Sequence, residues 1–454
     1  MRKMPITVAA PPSKSFSHRK LITASLARGT SRLSHVLESD DIARTIEVLR
    51  GVGVVIDRTG PGAYTVAGMD GPPHGGREKP VSCFMGESGT SCRLLTALLA
   101  AGNGSFAIHG APRLEERPMA ELLETLAILG AAIRFQKEPG FLPLTLTARG
   151  LFQMEDSWLP VRTEISSQFL SGLLLAGPLA ENGLRLALAG ERVASWPYVG
   201  LTLQTMEDSG CRVSVATLQN GEWVETDWRE MQTVYPGAVR FSIRRGTYRP
   251  LTGSTAAVEG DYSGASYLLA AGAIGPNPVT VTNLRRASIQ GDRAILDILE
   301  AMGATVRWKG NAVTVSPGPL RGIKRDMSHC PDLVPTVAVL ACLAEGQTTL
   351  RGVDSLRVKE SDRIQAPTAE LAKTGCRITI SGDAMVITPP PAVSGETLQF
   401  SAHNDHRMAM SLALFELVNN RIMLDDPGCV SKSFPSFWQA WRTIHPDSRI
   451  TEDL

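Results

Sequence analysis

The chain has 454 residues, with 46 Lys plus Arg against 45 Asp plus Glu. At about 100–200 residues per domain, that length calls for two or three domains. The balanced charge, with no basic stripe, argues against a nucleic-acid binder. Seven cysteines (83, 92, 211, 330, 342, 376 and 429) show no C-x-x-C spacing, which argues against a disulfide framework and a zinc site and fits a reducing, cytoplasmic setting. The first dozen residues hold no apolar core of a secretory leader and too few basic residues for a transit peptide. The most apolar run, Phe169 to Ala180, falls short of the roughly 20 residues a membrane span requires, so a soluble protein is expected.

In chain order, six short polar clusters run straight into helices that are apolar nearly all round. They are Lys14-Ser15-Phe16-Ser17-His18-Arg19, Ser88-Gly89-Thr90, Ser166-Ser167-Gln168, Asp261-Tyr262-Ser263, Pro331-Asp332 and Asn404-Asp405-His406-Arg407. A helix start leaves backbone N–H groups unpaired and carries about half a positive charge, so six of them gathered together would trap anions. Helices such as Leu94 to Ala101 and Val337 to Leu343 have no polar face and must be buried on every side.

A second helix type alternates with the first. Thr45 to Val52, Glu121 to Leu129, Leu201 to Ser209, Ile295 to Met302 and Ala369 to Thr374 are amphipathic, and each is followed by a glycine (53, 130, 210, 303, 375). Glycine adopts the left-handed cap conformation cheaply, and the β-prone stretches Val54 to Ile56, Val306 to Trp308 and Ile378 to Ile380 read as strands. A period of about 70–90 residues marks an internal repeat. Interior apolar helices exclude a TIM barrel and predict an α/β fold of two domains, each an inside-out barrel of three repeated units, six in all. Repeat phasing places the lobes at 12–258 and at 1–11 with 259–454. Two insertions, Gly71 to Glu78 and Gly221 to Tyr235, read as surface loops.

The chemistry-bearing residues sit at the helix starts. Arg19 lies four residues after Ser15, and helical side chains lean toward the N-terminus, so its guanidinium can reach back over the free amides. Gly89 lets backbone approach a ligand closely. In Arg357-Val358-Lys359-Glu360-Ser361-Asp362-Arg363, Lys359 and Arg363 share a face if the segment is helical, with Glu360 between the cations. Asp332 reads either as an N-cap or as a functional carboxylate. His403 and His406 lack a matching third ligand, so no metal is expected. Arg117 precedes a proline at a helix start, and Lys432 is a lone basic residue in Ser431-Lys432-Ser433-Phe434-Pro435.

Taken in order from Lys14-Ser15 to Lys432, and above all in Arg-Val-Lys-Glu-Ser-Asp-Arg, Asn-Asp-His-Arg-Met-Ala-Met and Lys-Ser-Phe-Pro, the chain resembles the enolpyruvyl transferases, in the branch whose acceptor is 3-phosphoshikimate. The resemblance implies transfer of the enolpyruvyl group of phosphoenolpyruvate to the 5-hydroxyl of that acceptor, through a tetrahedral intermediate, in a cleft between two domains. It implies no metal or organic cofactor, two small-molecule substrates as the partners, no nucleic acid or membrane, and a monomer. Acceptor binding is implied for Lys14, Ser15, Arg19, Ser166, Ser167, Gln168, Ser195, Tyr198, Asp332, Ser355 and Lys359. Donor binding is implied for Lys14, Gly89, Arg117, Gln168, Arg363, Arg407 and Lys432. Asp332, Glu360, Lys14, His406 and Lys432 are implied in catalysis. Seven cationic side chains face substrates carrying about six negative charges. Glu87, Leu94 and Ser355 depart from the residues commonest in the family. Two rival readings are a UDP-N-acetylglucosamine enolpyruvyl transferase, whose reactive cysteine has no counterpart in Ala111 to Met119, and a non-catalytic phosphosugar binder.

Overall fold

The computed structural model describes residues 4–231, 233–391, 397–419 and 421–450. It separates into two compact units, Lys14–Val258 and the chain up to Ser13 with Glu259 onward.

In the Lys14–Val258 unit, the helices Lys14–Leu26, Gly89–Ala100 and Gln168–Ala176 are buried along almost their whole length. Gly89–Ala100 and Gln168–Ala176 are mostly apolar and form the most extensive helix pairing among the described residues, whereas Lys14–Leu26 buries polar side chains on partners, His18 on Thr45, Arg19 on Thr202 and Lys20 on the Thr255 carbonyl. Around them lie three sheets. The first orders Thr30–Leu33, Ala63–Ala67 and Val55–Gly60. The second orders Val81–Phe84, Asn103–His109, Leu144–Arg149 and Ala132–Phe135, and the third Glu222–Glu225, Val213–Gln219, Val239–Ile243, Leu184–Val193 and Leu159–Thr163. The helices Asp40–Gly51 and Ala120–Ile128 bury one face and expose the other.

The second unit is built alike. Tyr262–Ile274, Val334–Cys342 and His406–Leu412 are its buried helices. Its sheets order Ile6–Ala9, Val279–Thr282, Ala312–Ser316 and Thr305–Lys309, then Lys324–Asp326, Thr348–Arg351, Ala384–Thr388 and Arg377–Ser381, with Leu398–Phe400 beside Ile422–Leu424. Four of the sheets share one pattern, a parallel pair followed by two antiparallel pairs, to which the five-stranded sheet adds a third antiparallel pair. That recurrence is the structural form of the helix–Gly–strand periodicity. Gly53, Gly130, Gly210, Gly303 and Gly375 have φ of 107°, 102°, 79°, 110° and 84°, the left-handed cap that stops the amphipathic helix and turns the chain into its strand.

One expectation is corrected. Residues 221–235 are not all loop, because Glu222–Glu225 is a strand paired with Val213–Gln219. Asn220 and Gly221 both have positive φ, 50° and 88°, and join the strands as a two-residue hairpin turn, for which Asn-Gly is the strongest short-range signal.

Candidate active site

Each unit gathers its own set of the expected residues. In the Lys14–Val258 unit, the Lys14–Leu26 helix opens with Lys14, whose Nζ lies 3.0 Å from Asp41 Oδ2 in the first turn of Asp40–Gly51. Arg19, buried, curls back over that helix start. It donates from Nη1 to the Ser15 carbonyl (2.9 Å), from Nη2 to the Tyr198 carbonyl (3.0 Å) and from Nε to Thr202 Oγ1 (2.8 Å). These acceptors are neutral, and burial pulls the guanidinium down to about 10. The Tyr198 and Thr202 contacts are set by Ser195, which caps Trp196–Asp208 in a left-handed conformation (φ 55°), a costly geometry for a residue with a Cβ.

The Gly89–Ala100 helix is capped by Ser88, whose side chain accepts from the Ser91 amide. A Cβ on Gly89 would sit 2.7 Å from Arg117 Nη1, so the buried Arg117 guanidinium packs directly on this helix start and would have to shift to admit a side chain there. Gln168 ties the next helix start to it, accepting from Arg93 Nη1 (3.0 Å) and donating to Thr90 Oγ1 (2.9 Å). Ser166 Oγ accepts from the Gln168 amide, and Ser167 adjoins it at the start of Gln168–Ala176.

The other unit centres on Arg363. Its Nε and Nη2 grip Asp405 at 2.7 and 3.0 Å, Nη1 donates to Asp332 Oδ1 at 2.9 Å, and Nη2 lies 2.9 Å from Glu360 Oε2. Asp332 Oδ2 accepts from Arg407 Nη2 at 2.7 Å, and Arg407 Nη1 reaches the Tyr267 hydroxyl. Burial alone would raise the Asp332 carboxyl. The Arg407 and Arg363 charges, with Lys359 behind them, overcome it and hold the group ionised far below the usual carboxylate range. Asp332 therefore sits in a short turn, Pro331–Leu333, and serves the arginines with both oxygens.

Lys359 and Arg363 do not share a helix face. The turn Asp354–Val358, which contains the half-buried Ser355, ends in extended backbone at Lys359. The following helix begins only at Gln365 because Asp362 Oδ1 captures the Ile364 and Gln365 amides. The extended stretch lets Glu360 turn toward Arg363. His406 is buried at the start of His406–Leu412, its Nδ1 3.7 Å from Asp405 Oδ1, and the turn carrying Lys432, Pro427–Lys432, packs on that helix. His403 Nε2 lies 3.0 Å from Glu370 Oε1. Among the described residues, no group of three His, Cys, Asp or Glu side chains is placed to hold a metal ion.

Two residues outside the sequence expectations belong here. Asp405 caps its helix by accepting from the Arg407 amide, and it is the buried anchor of Arg363. Asp292, 2% exposed, accepts from Ser263 Oγ; burial, then the neighbouring Asp332 charge, push its carboxyl up to about 7. It lies in Gln290-Gly291-Asp292, just ahead of the amphipathic Ile295–Met302 helix.

A family model described as EPSP synthase (3-phosphoshikimate 1-carboxyvinyltransferase) matches residues 2–441. A 3-phosphoshikimate 1-carboxyvinyltransferase from Shewanella denitrificans is 39% identical over 429 residues, 94% of each chain. One from Shewanella amazonensis is 37% identical over 441 residues, 96% of each chain. The solved structure of EPSP synthase from Acinetobacter baumannii, 26% identical, superposes with a TM-score of 0.72 over 97% of this chain and 95% of that one. With catalytic-type carboxylates, buried arginines and whole-length kinship in agreement, the chain belongs to the EPSP synthase (3-phosphoshikimate 1-carboxyvinyltransferase) family.

Proposed function

We propose that the chain, as a cytoplasmic monomer, transfers the enolpyruvyl group of phosphoenolpyruvate to the 5-hydroxyl of 3-phosphoshikimate, releasing phosphate, with ligand-binding residues drawn from both units. The observation that carries the reading is the Asp332–Arg363–Glu360 constellation, in which one arginine holds two carboxylates on neighbouring segments. A phosphate binder gains nothing from such carboxylates; a proton-moving site needs them. Addition delivers a proton to the donor methylene carbon and removes one from the acceptor hydroxyl, and elimination reverses the first transfer as phosphate departs.

Glu360 acts as acid and then base at the methylene carbon. Asp332, kept ionised by Arg363 and Arg407, orients the hydroxyl or takes its proton. Lys14, Arg117, Gln168, Arg363, Arg407 and Lys432 hold the donor, with Gly89 amides at the helix start, and His406 and Lys432 favour the leaving phosphate. Arg19, Ser15, Ser166, Ser167, Gln168, Ser195, Tyr198, Ser355 and Lys359 hold the acceptor. The test is phosphate release measured with each substrate alone and with both. Release that requires both and persists in excess chelator supports the reading; release without 3-phosphoshikimate, or loss on chelation, overturns it.

A further inference from the structure

Beneath the Lys14 and Gly89 helix starts runs a chain of buried hydroxyls. His18 Nδ1 lies 2.8 Å from Thr45 Oγ1, and Thr45 Oγ1 lies 2.8 Å from Ser91 Oγ. Ser91 Oγ in turn lies 3.1 Å from the Asp41 carbonyl and 2.8 Å from Ser88 Oγ. His18, Thr45, Ser88 and Ser91 are each 0% exposed. The chain thus joins the Lys14–Leu26 helix to the first turn of Asp40–Gly51, where Asp41 pairs with Lys14, and to the Ser88 cap in front of Gly89.

A hydroxyl has one proton to donate. With the Ser91 proton directed to the Asp41 carbonyl or to Ser88, as the 3.1 and 2.8 Å distances allow, Thr45 donates to Ser91. Thr45 then has nothing left for His18, and the His18 ring must donate from Nδ1. Nε2 is left as the bare nitrogen, buried and without a hydrogen-bond partner. The ring is neutral: burial pulls it down to about 3, with Lys14 and Arg19 acting in the same sense and Asp41 opposing.

We propose that His18, Thr45 and Ser91 are positioning residues for the donor site, forming a one-way hydrogen-bond chain that clamps three helix starts and fixes the Lys14–Asp41 pair relative to Gly89. The inference rests on the reading that Lys14 and Gly89 bind phosphoenolpyruvate. A chain that polarises in one direction resists rotation of every member, because reversing one bond requires reversing all.

Thr45→Val keeps the shape and removes the relay. It is expected to raise the KM for phosphoenolpyruvate roughly tenfold, the cost of a buried group left unpaired, while the KM for 3-phosphoshikimate stays within about twofold. Thr45→Ser restores the wild-type value. His18→Asn, whose amide nitrogen can replace Nδ1–H, retains donor affinity, and His18→Leu loses it. Parallel changes in both KM values, or an unaltered donor KM in Thr45→Val, overturn the proposal. Should Thr45→Val fail to fold, 15N spectra of the His18 ring in the wild-type protein decide: protonated Nδ1 and bare Nε2 between pH 6 and 8 support it, and the opposite tautomer or a cationic ring overturns it. Lys14→Gln separates the two levels of argument. An unaltered donor KM there removes the donor-site reading itself, whereas a raised KM in Lys14→Gln with none in Thr45→Val removes only the positioning chain.

Discussion

Two buried arginines, one in each unit, are held in opposite ways. Arg19 is wrapped by two carbonyls and a hydroxyl, and burial lowers its proton affinity. Arg363 is wrapped by Asp405, Glu360 and Asp332; although burial works against the charge, these three anions raise its proton affinity. Neutral dipoles solvate a cation without cancelling it, so Arg19 retains a full charge for an anionic ligand. Carboxylates cancel the charge but acquire fixed positions and shifted acidity, so the Arg363 cluster is suited to managing protons.

Three substitutions break or sharpen that contrast. Glu360→Gln keeps the shape of the cluster and removes its titratable carboxyl, and is expected to lower turnover by about 10²–10⁴-fold with little change in either KM. Steady-state kinetics check this, and an unchanged kcat would remove Glu360 from the chemistry. Next, Arg363→Gln leaves three carboxylates without their shared cation and should cost about 3–5 kcal/mol of stability. Arg19→Gln, losing only neutral partners, should cost about 1–2 kcal/mol while raising the acceptor KM. Denaturant unfolding of the two variants compares them directly, and equal losses would erase the distinction.

The smallest effect concerns Asp292. Its folded carboxyl titrates near 7, against 3.8 for the ordinary group, so between those values the folded state holds a proton that the unfolded chain has released. Stability contributed there falls as pH rises from about 4 to about 7. Asp292→Asn does not titrate, so its melting temperature relative to wild type should climb between pH 5 and pH 8. A difference that is flat with pH would count against a protonated Asp292.

Much of this was legible in the sequence where the signal is local. The five capping glycines and the unpolarised helices follow from periodicity and backbone preference, and the structure places helices and left-handed turns there. The Lys359–Arg363 face was misread because helical spacing was assumed across Asp362, whose side chain starts the helix later by taking the Ile364 and Gln365 amides. Nothing local marks Asp405 or Asp292 as more than a helix-start carboxylate, because their partners, Arg363 and Ser263, are distant in the chain. A carboxylate beside a helix start looks the same in sequence whether it caps or anchors. The Asn220-Gly221 hairpin, by contrast, carried its signal in two residues and was overlooked within an insertion.

The strand Ile6–Ala9 pairs in parallel with Val279–Thr282, so a segment made before the Lys14–Val258 unit is completed by one that follows it. During synthesis at about 5–20 residues per second, that early strand waits well over ten seconds as an unsatisfied edge. The intervening unit holds its own sheets and interior helices and can mature in that interval. The Lys14–Val258 unit can therefore be complete before the second unit closes its first sheet.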